Sequence, residues 1–269
     1  MKFLLLFFLG ICLFLSSFIS SPPPTFEPLP CLNKKFSVIV HIVKDTFGIP
    51  NILESQIQTR LGLATSLFSE VCVSFEICEF RYIDNFQYNK LDPGFEWDQL
   101  QNEYHVKNHI NMFFVKKTTT DSSFATHGGI AILDEGGLVF KKNHSFRIIT
   151  QQLGYYFGLF YTNHGSTSTG SNSELVDGSN CATTGDLICD TPADPYYTPG
   201  IKWIDSITHE FIYMGLDANG EYYIPHVQNV MSPYAYHPYY YPNIFGCDFT
   251  YQQYVKMTNT YLNSNPKMW

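Results

Sequence analysis

The first half of the chain alternates stretches typical of β-strands with a long stretch of helical periodicity. Residues 36–44 are rich in β-branched apolar side chains and predict the first strand. From residue 52 to residue 71, apolar side chains recur at helical spacing and predict an amphipathic helix. Residues 73–82 and 110–116 predict two further strands. This half of the chain therefore predicts an ordered α/β structure.

The second half is different in character. A short hairpin is predicted over residues 128–141 and a helix over residues 145–158. Residues 163–185 are rich in Gly, Ser, Thr and Asn and predict loop, and the chain stays mostly irregular beyond them. Residues 250–262 predict a closing helix with Thr250 as its N-cap. The predicted fold class is α+β, with two lobes of one catalytic-type domain.

The N-terminus predicts a secretory signal peptide over residues 1–20. Lys2 supplies a positive start, and residues 3–15 are apolar apart from one glycine. Small serines follow, and cleavage is expected between Ser17 and Ser21. The alternative is an uncleaved membrane anchor, because the apolar run is near the upper length limit for a signal. The mature protein is therefore expected to be secreted or extracytoplasmic.

Composition narrows the classes of partner. Residues 21–35 form a proline-rich lead-in, and residues 36–269 are expected to form the folded domain. The net charge is −8, and removing a leader that contains Lys2 leaves 15 basic and 24 acidic residues, or −9. No basic stripe is present to neutralise phosphates, which argues against nucleic acid as a partner. No segment after the leader is long and apolar enough to span a bilayer, so no membrane association is expected after cleavage.

Cysteine usage agrees with export. Seven cysteines occur, and loss of Cys12 with the leader leaves six. An even count in an exported chain implies disulfides. Cys72 and Cys78 lie on one predicted strand, roughly 20 Å apart if extended, so they cannot pair with each other. Each must pair elsewhere or stay reduced. The disulfide candidates are Cys31, Cys72, Cys78, Cys181, Cys189 and Cys247.

Residues 151–162 have the spacing of a zinc-binding helix. They read Gln-Gln-Leu-Gly-Tyr-Tyr-Phe-Gly-Leu-Phe-Tyr-Thr. Metzincin metalloproteases carry His-Glu-x-x-His-x-x-Gly-x-x-His, in which the glycine permits a sharp turn and the last His completes the zinc site. Gly158 and Tyr161 stand at the positions of that glycine and that last His. The spacing is therefore that of the motif, although its ligands are replaced.

Three flanking blocks carry a family resemblance. Residues 181–195 (Cys-Ala-Thr-Thr-Gly-Asp-Leu-Ile-Cys-Asp-Thr-Pro-Ala-Asp-Pro) resemble the segment after the zinc helix in the pappalysin (cytophagalysin-like) family of metzincins. Residues 229–234 resemble its Met-turn, with Met231 as the methionine, and residues 247–257 its closing cysteine and final helix. The resemblance implies a metzincin-like two-lobed domain with a mixed, mostly parallel sheet, a central helix and a loop-rich C-terminal lobe.

The same resemblance implies loss of the chemistry. The family's zinc ligands fall on Gln151, Tyr155 and Tyr161, and its general base falls on Gln152. A carboxamide is a poor zinc ligand, and tyrosine binds zinc usefully only as a phenolate, although its ordinary pKa is near 10. Gln152 has no basic lone pair to accept a proton from water. We therefore expect no catalytic residues, no bound zinc and a pseudoprotease.

Two alternative metal sites follow from neighbouring residues. An active metallopeptidase would need a non-standard zinc site, such as His164 with Tyr155 and Tyr161. His127 and His144 lie upstream, and the competing interpretation is that all three are loop histidines. Asp186 and Asp190 are candidate ligands of a structural calcium. Alternatively, these two carboxylates brace the Cys181–Cys189 loop by bonds to its backbone.

A tyrosine-rich stretch follows the predicted Met-turn. Tyr combines a large apolar area with a polar tip and is favoured at binding surfaces. The stretch is therefore either a binding surface or local packing across the vacant cleft. The function hypothesis is a secreted, inactive homologue that binds or regulates an unknown protein or peptide partner, and a further alternative is an inhibitor of an active relative. The tyrosines concerned are Tyr234, Tyr236, Tyr239, Tyr240 and Tyr241.

Overall fold

A five-stranded, mostly parallel sheet organises the protein. The computed structural model describes residues 27–92, 95–119, 129–132, 137–144, 147–166, 173–195, 205, 208, 210–212, 214–233 and 248–264. The predicted signal peptide, the tyrosine-rich stretch, Cys247 and His127 lie outside these residues. Within them the fold is mixed α/β with four α-helices, consistent with the predicted α+β class.

The strand order places the longest apolar strand inside the sheet. The order is β2-β1-β4-β7-β6, with β6 and β7 antiparallel and all other pairs parallel. Strand β1 is buried from Val38 onward, as expected of a parallel strand covered on both faces. A separate two-stranded sheet joins β3 and β5. The strands are β1 Lys34–Val43, β2 Val73–Ile83, β3 Lys90–Leu91, β4 Ile110–Val115, β5 Lys117–Thr118, β6 Gly129–Ile132 and β7 Gly137–Lys141.

Helices cover both faces of the sheet. Helix α1 (Glu54–Phe68) buries Ile57, Leu61, Ala64 and Phe68, a stripe at helical spacing, and short 3-10 turns follow at Ser69–Val71 and Phe86–Asn89. Helices α3 (Ile148–Tyr156) and α4 (Tyr251–Asn263) contribute to the same apolar cluster as α1. Helix α2 (Glu96–Tyr104) packs Trp97 and Leu100 into a second cluster.

The sequence predictions of the main elements are confirmed, with boundaries that differ by at most three residues. The predicted hairpin is present as β6 and β7. Thr250 caps α4, because its hydroxyl accepts a bond from the Gln253 backbone N–H and the Gln253 side chain accepts one from Thr250. Helix α2 and the short strands β3 and β5 were not predicted.

Two disulfides are present among the described residues. Cys31 pairs with Cys72, and Cys181 pairs with Cys189. The prediction that Cys72 and Cys78 do not pair is confirmed. The Cys78 thiol is exposed and reduced, and Cys78 is the extra residue of a β-bulge, since Val38 pairs with Ile77 and Ile39 with Glu79.

Candidate functional site

Helix α3 carries the first three motif positions and ends in a tight reversal. The backbone N–H of Gly158 donates to the Tyr155 carbonyl at 2.9 Å, and that of Leu159 donates to the Gly154 carbonyl at 3.0 Å. Gly158 has a φ of +88°, a conformation that glycine adopts without strain. The helix therefore stops at Tyr156, two residues before the predicted end, and the chain turns back beside it.

Gln151 attaches the helix to the turn that contains Met231. The Gln151 side chain is buried, and its Nε2 donates to the carbonyl oxygens of Val230 at 2.8 Å and Ser232 at 3.3 Å. The Gln151 Oε1 has no hydrogen-bond partner within the described part of the chain. The position that the resemblance assigns to the first zinc ligand is thus occupied by a structural amide.

The turn itself is buried and heavily bonded. The Met231 backbone N–H donates to Asn229 Oδ1 at 2.8 Å, and the Met231 carbonyl accepts from the Thr162 N–H at 3.1 Å. The side chains of Asn229 and Gln253 exchange two hydrogen bonds, at 2.8 and 3.2 Å. A Cβ at Gly154 would lie 2.7 Å from Met231 Sδ, so glycine permits the close approach of helix and turn.

The other three motif positions contact one another. Gln152 is buried, and its Nε2 donates to the hydroxyl oxygen of Tyr161 at 2.8 Å. The rings of Tyr155 and Tyr161 are half-buried, with centroids 5.9 Å apart. Neither a carboxamide nor a neutral phenol fits the zinc ion that the resemblance implies, because zinc sites use imidazole, thiolate or carboxylate.

The His164 backbone N–H donates to the Tyr161 carbonyl at 2.8 Å, but the contact described for its ring is with Phe160. Its ring stacks on Phe160 with centroids 4.1 Å apart, and the Lys256 ammonium lies 4.8 Å from the same Phe160 centroid. Burial and the nearby Lys256 charge lower the pKa of His164. His144 lies three residues beyond β7. Across the described ranges, no group of three or more His, Cys, Asp or Glu side chains is arranged to hold a metal ion.

Asp186 and Asp190 both accept hydrogen bonds. Asp186 is buried and accepts from the Ile188 N–H at 3.1 Å and from the Thr191 hydroxyl at 3.0 Å, which braces the disulfide loop. Asp190 instead accepts from the Thr250 hydroxyl at 2.6 Å and the Gln252 N–H at 2.8 Å, and so attaches the loop to the start of α4. The bracing interpretation describes Asp186 alone, and calcium binding stays a hypothesis.

A group of buried carboxylates lies near the site, and of its three members only Asp186 was singled out from the sequence. Thr162, the residue after Tyr161, donates a hydrogen bond from its hydroxyl to the Asp194 carboxylate at 2.6 Å. Burial raises the pKa of Glu174 to about 8, with further contributions from Asp186 and Asp194. Burial also raises the pKa of Asp186 to about 7, against hydrogen bonds from Thr191 and Ile188 that lower it. Asp186 and Asp194 fall in the block of residues 181–195 that carries the family resemblance, whereas Glu174 lies outside it. The irregular spacing of the three acids gives no signal that they meet.

Searches against known proteins do not assign a family. No protein-family model matches the chain, and no curated protein matches it. In the part of the chain that the structure describes, no helix is long and apolar enough to cross a membrane.

Proposed function

We propose that the protein is an exported pseudoprotease, a catalytically inactive homologue of pappalysin-like zinc metalloproteases that acts by binding. One observation carries the proposal. The four side chains at the family's catalytic positions are engaged with one another or with the turn around Met231, as the bonds of Gln151 and Gln152 illustrate. They form a polar packing cluster in place of a metal site.

The scaffold supports the family resemblance. A mostly parallel sheet with one antiparallel edge strand precedes helix α3, which ends at a glycine and reverses. A buried methionine turn lies against that helix, and a closing helix follows. These features appear in the order that a metzincin-like two-lobed domain requires, with the disulfide loop between α3 and the turn.

The chemistry of the cluster favours binding over catalysis. The Gln151 Nε2 donates to two carbonyls, so the amide links α3 to the turn. A water near Gln152 would meet a carboxamide whose N–H donates to Tyr161, and a carboxamide does not act as a general base. The two disulfides support export, because disulfides persist in oxidising compartments.

The decisive test is zinc content and its restoration. We expect the purified mature protein to carry no stoichiometric zinc by elemental analysis and to leave denatured protein substrates uncleaved. The variant Q151H/Q152E/Y155H/Y161H should bind one zinc ion per chain, because it restores the three nitrogen ligands and the base. The variant Q151H/Q152E/Y155H, which lacks the third histidine, is the matched control and should bind zinc more weakly.

The alternative is an active metallopeptidase that uses His164 with Tyr155 and Tyr161. One zinc per wild-type chain, with chelator-sensitive peptidase activity that His164→Ala abolishes, would establish it and refute the pseudoprotease. A restored variant that folds but binds no zinc would show that residues 151–161 do not align with the motif. The inhibitor alternative predicts a specific complex with an active relative, which a pull-down with that protease would detect.

A further inference from the structure

A β-hairpin in the second half presents apolar side chains to solvent. Leu216 and Tyr222 form an antiparallel bridge. Backbone bonds close the hairpin on either side, from Asp217 N–H to the Glu221 carbonyl at 2.8 Å and from Tyr223 N–H to the Gly215 carbonyl at 3.3 Å. Residues directly opposite one another lie on the same face. Leu216 and Tyr222 therefore share the outer face, where they are 53% and 52% exposed.

The same face continues along both strands. Met214 and Ile224 lie two residues beyond the bridged pair, and alternate residues of extended strands share a face. They are 71% and 75% exposed. We call Met214, Leu216, Tyr222 and Ile224 the hairpin patch. Contiguous exposed apolar side chains are uncommon on protein surfaces and mark interaction sites.

The opposite face fixes the hairpin to the protein. Asp217 Oδ1 accepts from the Asn219 N–H at 2.8 Å and the Glu221 N–H at 2.9 Å, while Oδ2 accepts from the Val176 N–H at 2.9 Å. Tyr223 is buried, and its hydroxyl donates to the Glu174 carbonyl. The patch is thus held in place before any partner arrives, which lowers the entropy lost on binding.

The charge around the hairpin patch indicates which kind of partner can bind to it. Residues 205–226 contain four acidic side chains and no Lys or Arg. Glu221 precedes Tyr222 in the chain, with its side chain starting from the opposite face of the hairpin, and Glu210 lies four residues before Met214. Both carboxylates are exposed and add negative charge to the surroundings of the patch. Like charges across an interface oppose association, so a second copy of the same face and an anionic lipid surface are both disfavoured. A basic partner is favoured.

We propose that the hairpin patch docks a protein segment whose apolar side chains are flanked by Lys or Arg. The apolar residues of the segment cover Leu216 and Ile224, and its basic residues lie at the margin of the patch, in the negative field to which Glu221 and Glu210 contribute. This inference goes beyond the pseudoprotease proposal and does not depend on the zinc content of the protein.

Selection from a random library of phage-displayed peptides on the full exported chain tests it. Enriched peptides should combine apolar residues with Lys or Arg. The dissociation constant of such a peptide, measured by calorimetry, should rise about tenfold or more in L216S/I224S and at least about threefold in E221K. Phe47→Ser is the matched control and should leave the constant unchanged, because Phe47 is a highly exposed apolar residue on a separate loop.

Mild peroxide oxidation tests whether the patch is free. Met214 should oxidise readily in the free protein and slowly with the selected peptide bound, while the buried Met231 stays protected throughout. Oxidation of Met214 as slow as that of Met231 in the free protein would mean that another segment of the chain covers the patch, and would overturn the proposal.

Three other results would also overturn the docking proposal. The first is failure to enrich peptides that are both apolar and basic. The second is equal binding of the selected peptide to wild type and L216S/I224S. The third is a dimer of the wild-type chain in sedimentation that L216S/I224S abolishes, which would identify a second copy as the occupant.

Discussion

Strand β1 and the segment of residues 173–195 both contribute buried side chains, but of opposite chemistry. The buried residues of β1 are apolar except His41, which hydrogen-bonds Asn111. The segment buries five polar side chains and only a few apolar ones. Its buried polar side chains are Ser173, Glu174, Asp186, Thr191 and Asp194.

This difference separates two ways of holding a fold. Apolar burial is nondirectional, so the contribution of β1 to stability is spread over many contacts and not a few bonds. A buried polar group left without its partner costs about 1–3 kcal/mol, so the segment depends on individual bonds such as that of Thr162 with Asp194. The candidate site contacts both regions, because α3 packs in the apolar cluster that includes β1 and the Thr162 hydroxyl, next to Tyr161, bonds to Asp194 of the segment.

The largest effect on the free energy of unfolding is expected from a substitution in the apolar core. The Phe68 ring is fully buried and contacts Phe75, Phe157 and Phe249, with centroids 5.1, 5.3 and 5.5 Å away. Phe68→Ala should lower the free energy of unfolding by about 3–5 kcal/mol, because it leaves a cavity inside the apolar cluster that includes β1. Urea unfolding measures this. Phe47→Ala, at a position 85% exposed, should change it by less than about 0.5 kcal/mol.

A loss below about 1 kcal/mol for Phe68→Ala would break the comparison, since the apolar core would then not dominate stability. To test the polar segment of residues 173–195, unfolding has to be measured as a function of pH. Buried carboxylates respond to pH, whereas phenylalanines do not.

The second effect is a dependence of stability on pH. The folded-state pKa of Glu174 is about 8 and that of Asp186 about 7, both above the ordinary values of 4.5 and 3.8. Between the ordinary and the folded pKa the native state binds more protons, so stability is present at low pH and is lost as pH rises through the folded values. The urea midpoint of the wild type should therefore fall between pH 6.5 and 8.

Glu174→Gln should flatten this decline without abolishing it, because Asp186 still titrates. The window avoids two opposing groups. Burial lowers the pKa of His41 to about 4, which costs stability only below about pH 6.5, and burial lowers the pKa of Lys142 to about 8, which adds stability only above that value. The exposed Glu221→Gln is the control and should keep the wild-type slope. Equal slopes for all three proteins would contradict the prediction.

The apolar region was predictable from sequence because its signal is periodic. Strand β2 and helix α1 follow from spacing and composition alone. Helix α2 was missed, since Glu-Trp-Asp-Gln-Leu-Gln-Asn-Glu-Tyr buries little more than Trp97 and Leu100, too few apolar positions to show a period. Periodicity reports burial of apolar side chains and nothing else.

The candidate site was predictable only in part. The spacing of Gln151, Gly158 and Tyr161 predicted a helix that stops at a glycine and reverses. In the structure the chain reverses at Gly158, which has a positive φ. The bond from Gln152 to Tyr161 and the carboxylate group of Glu174 depend on contacts between distant segments. Such contacts leave no local pattern, because each polar residue needs one partner and not a period.

The smallest effect concerns the disulfide that closes the polar segment. Cys181 and Cys189 are eight residues apart, and Asp186 makes its bonds within and just after that loop. Chain-entropy reasoning for so short a loop gives a loss of about 2.5 kcal/mol for C181S/C189S. If the segment depends on individual bonds, this variant should open it locally: hydrogen–deuterium exchange should rise at Ile188 and the residues around it while β1 stays protected.

Cys78→Ser, at an exposed reduced thiol, should leave both stability and exchange unchanged. Faster exchange in β1 as well would mean that the two regions open as one cooperative unit, coupled through the apolar cluster that Ile188 of the segment shares with β1, in spite of the contrast in their buried chemistry.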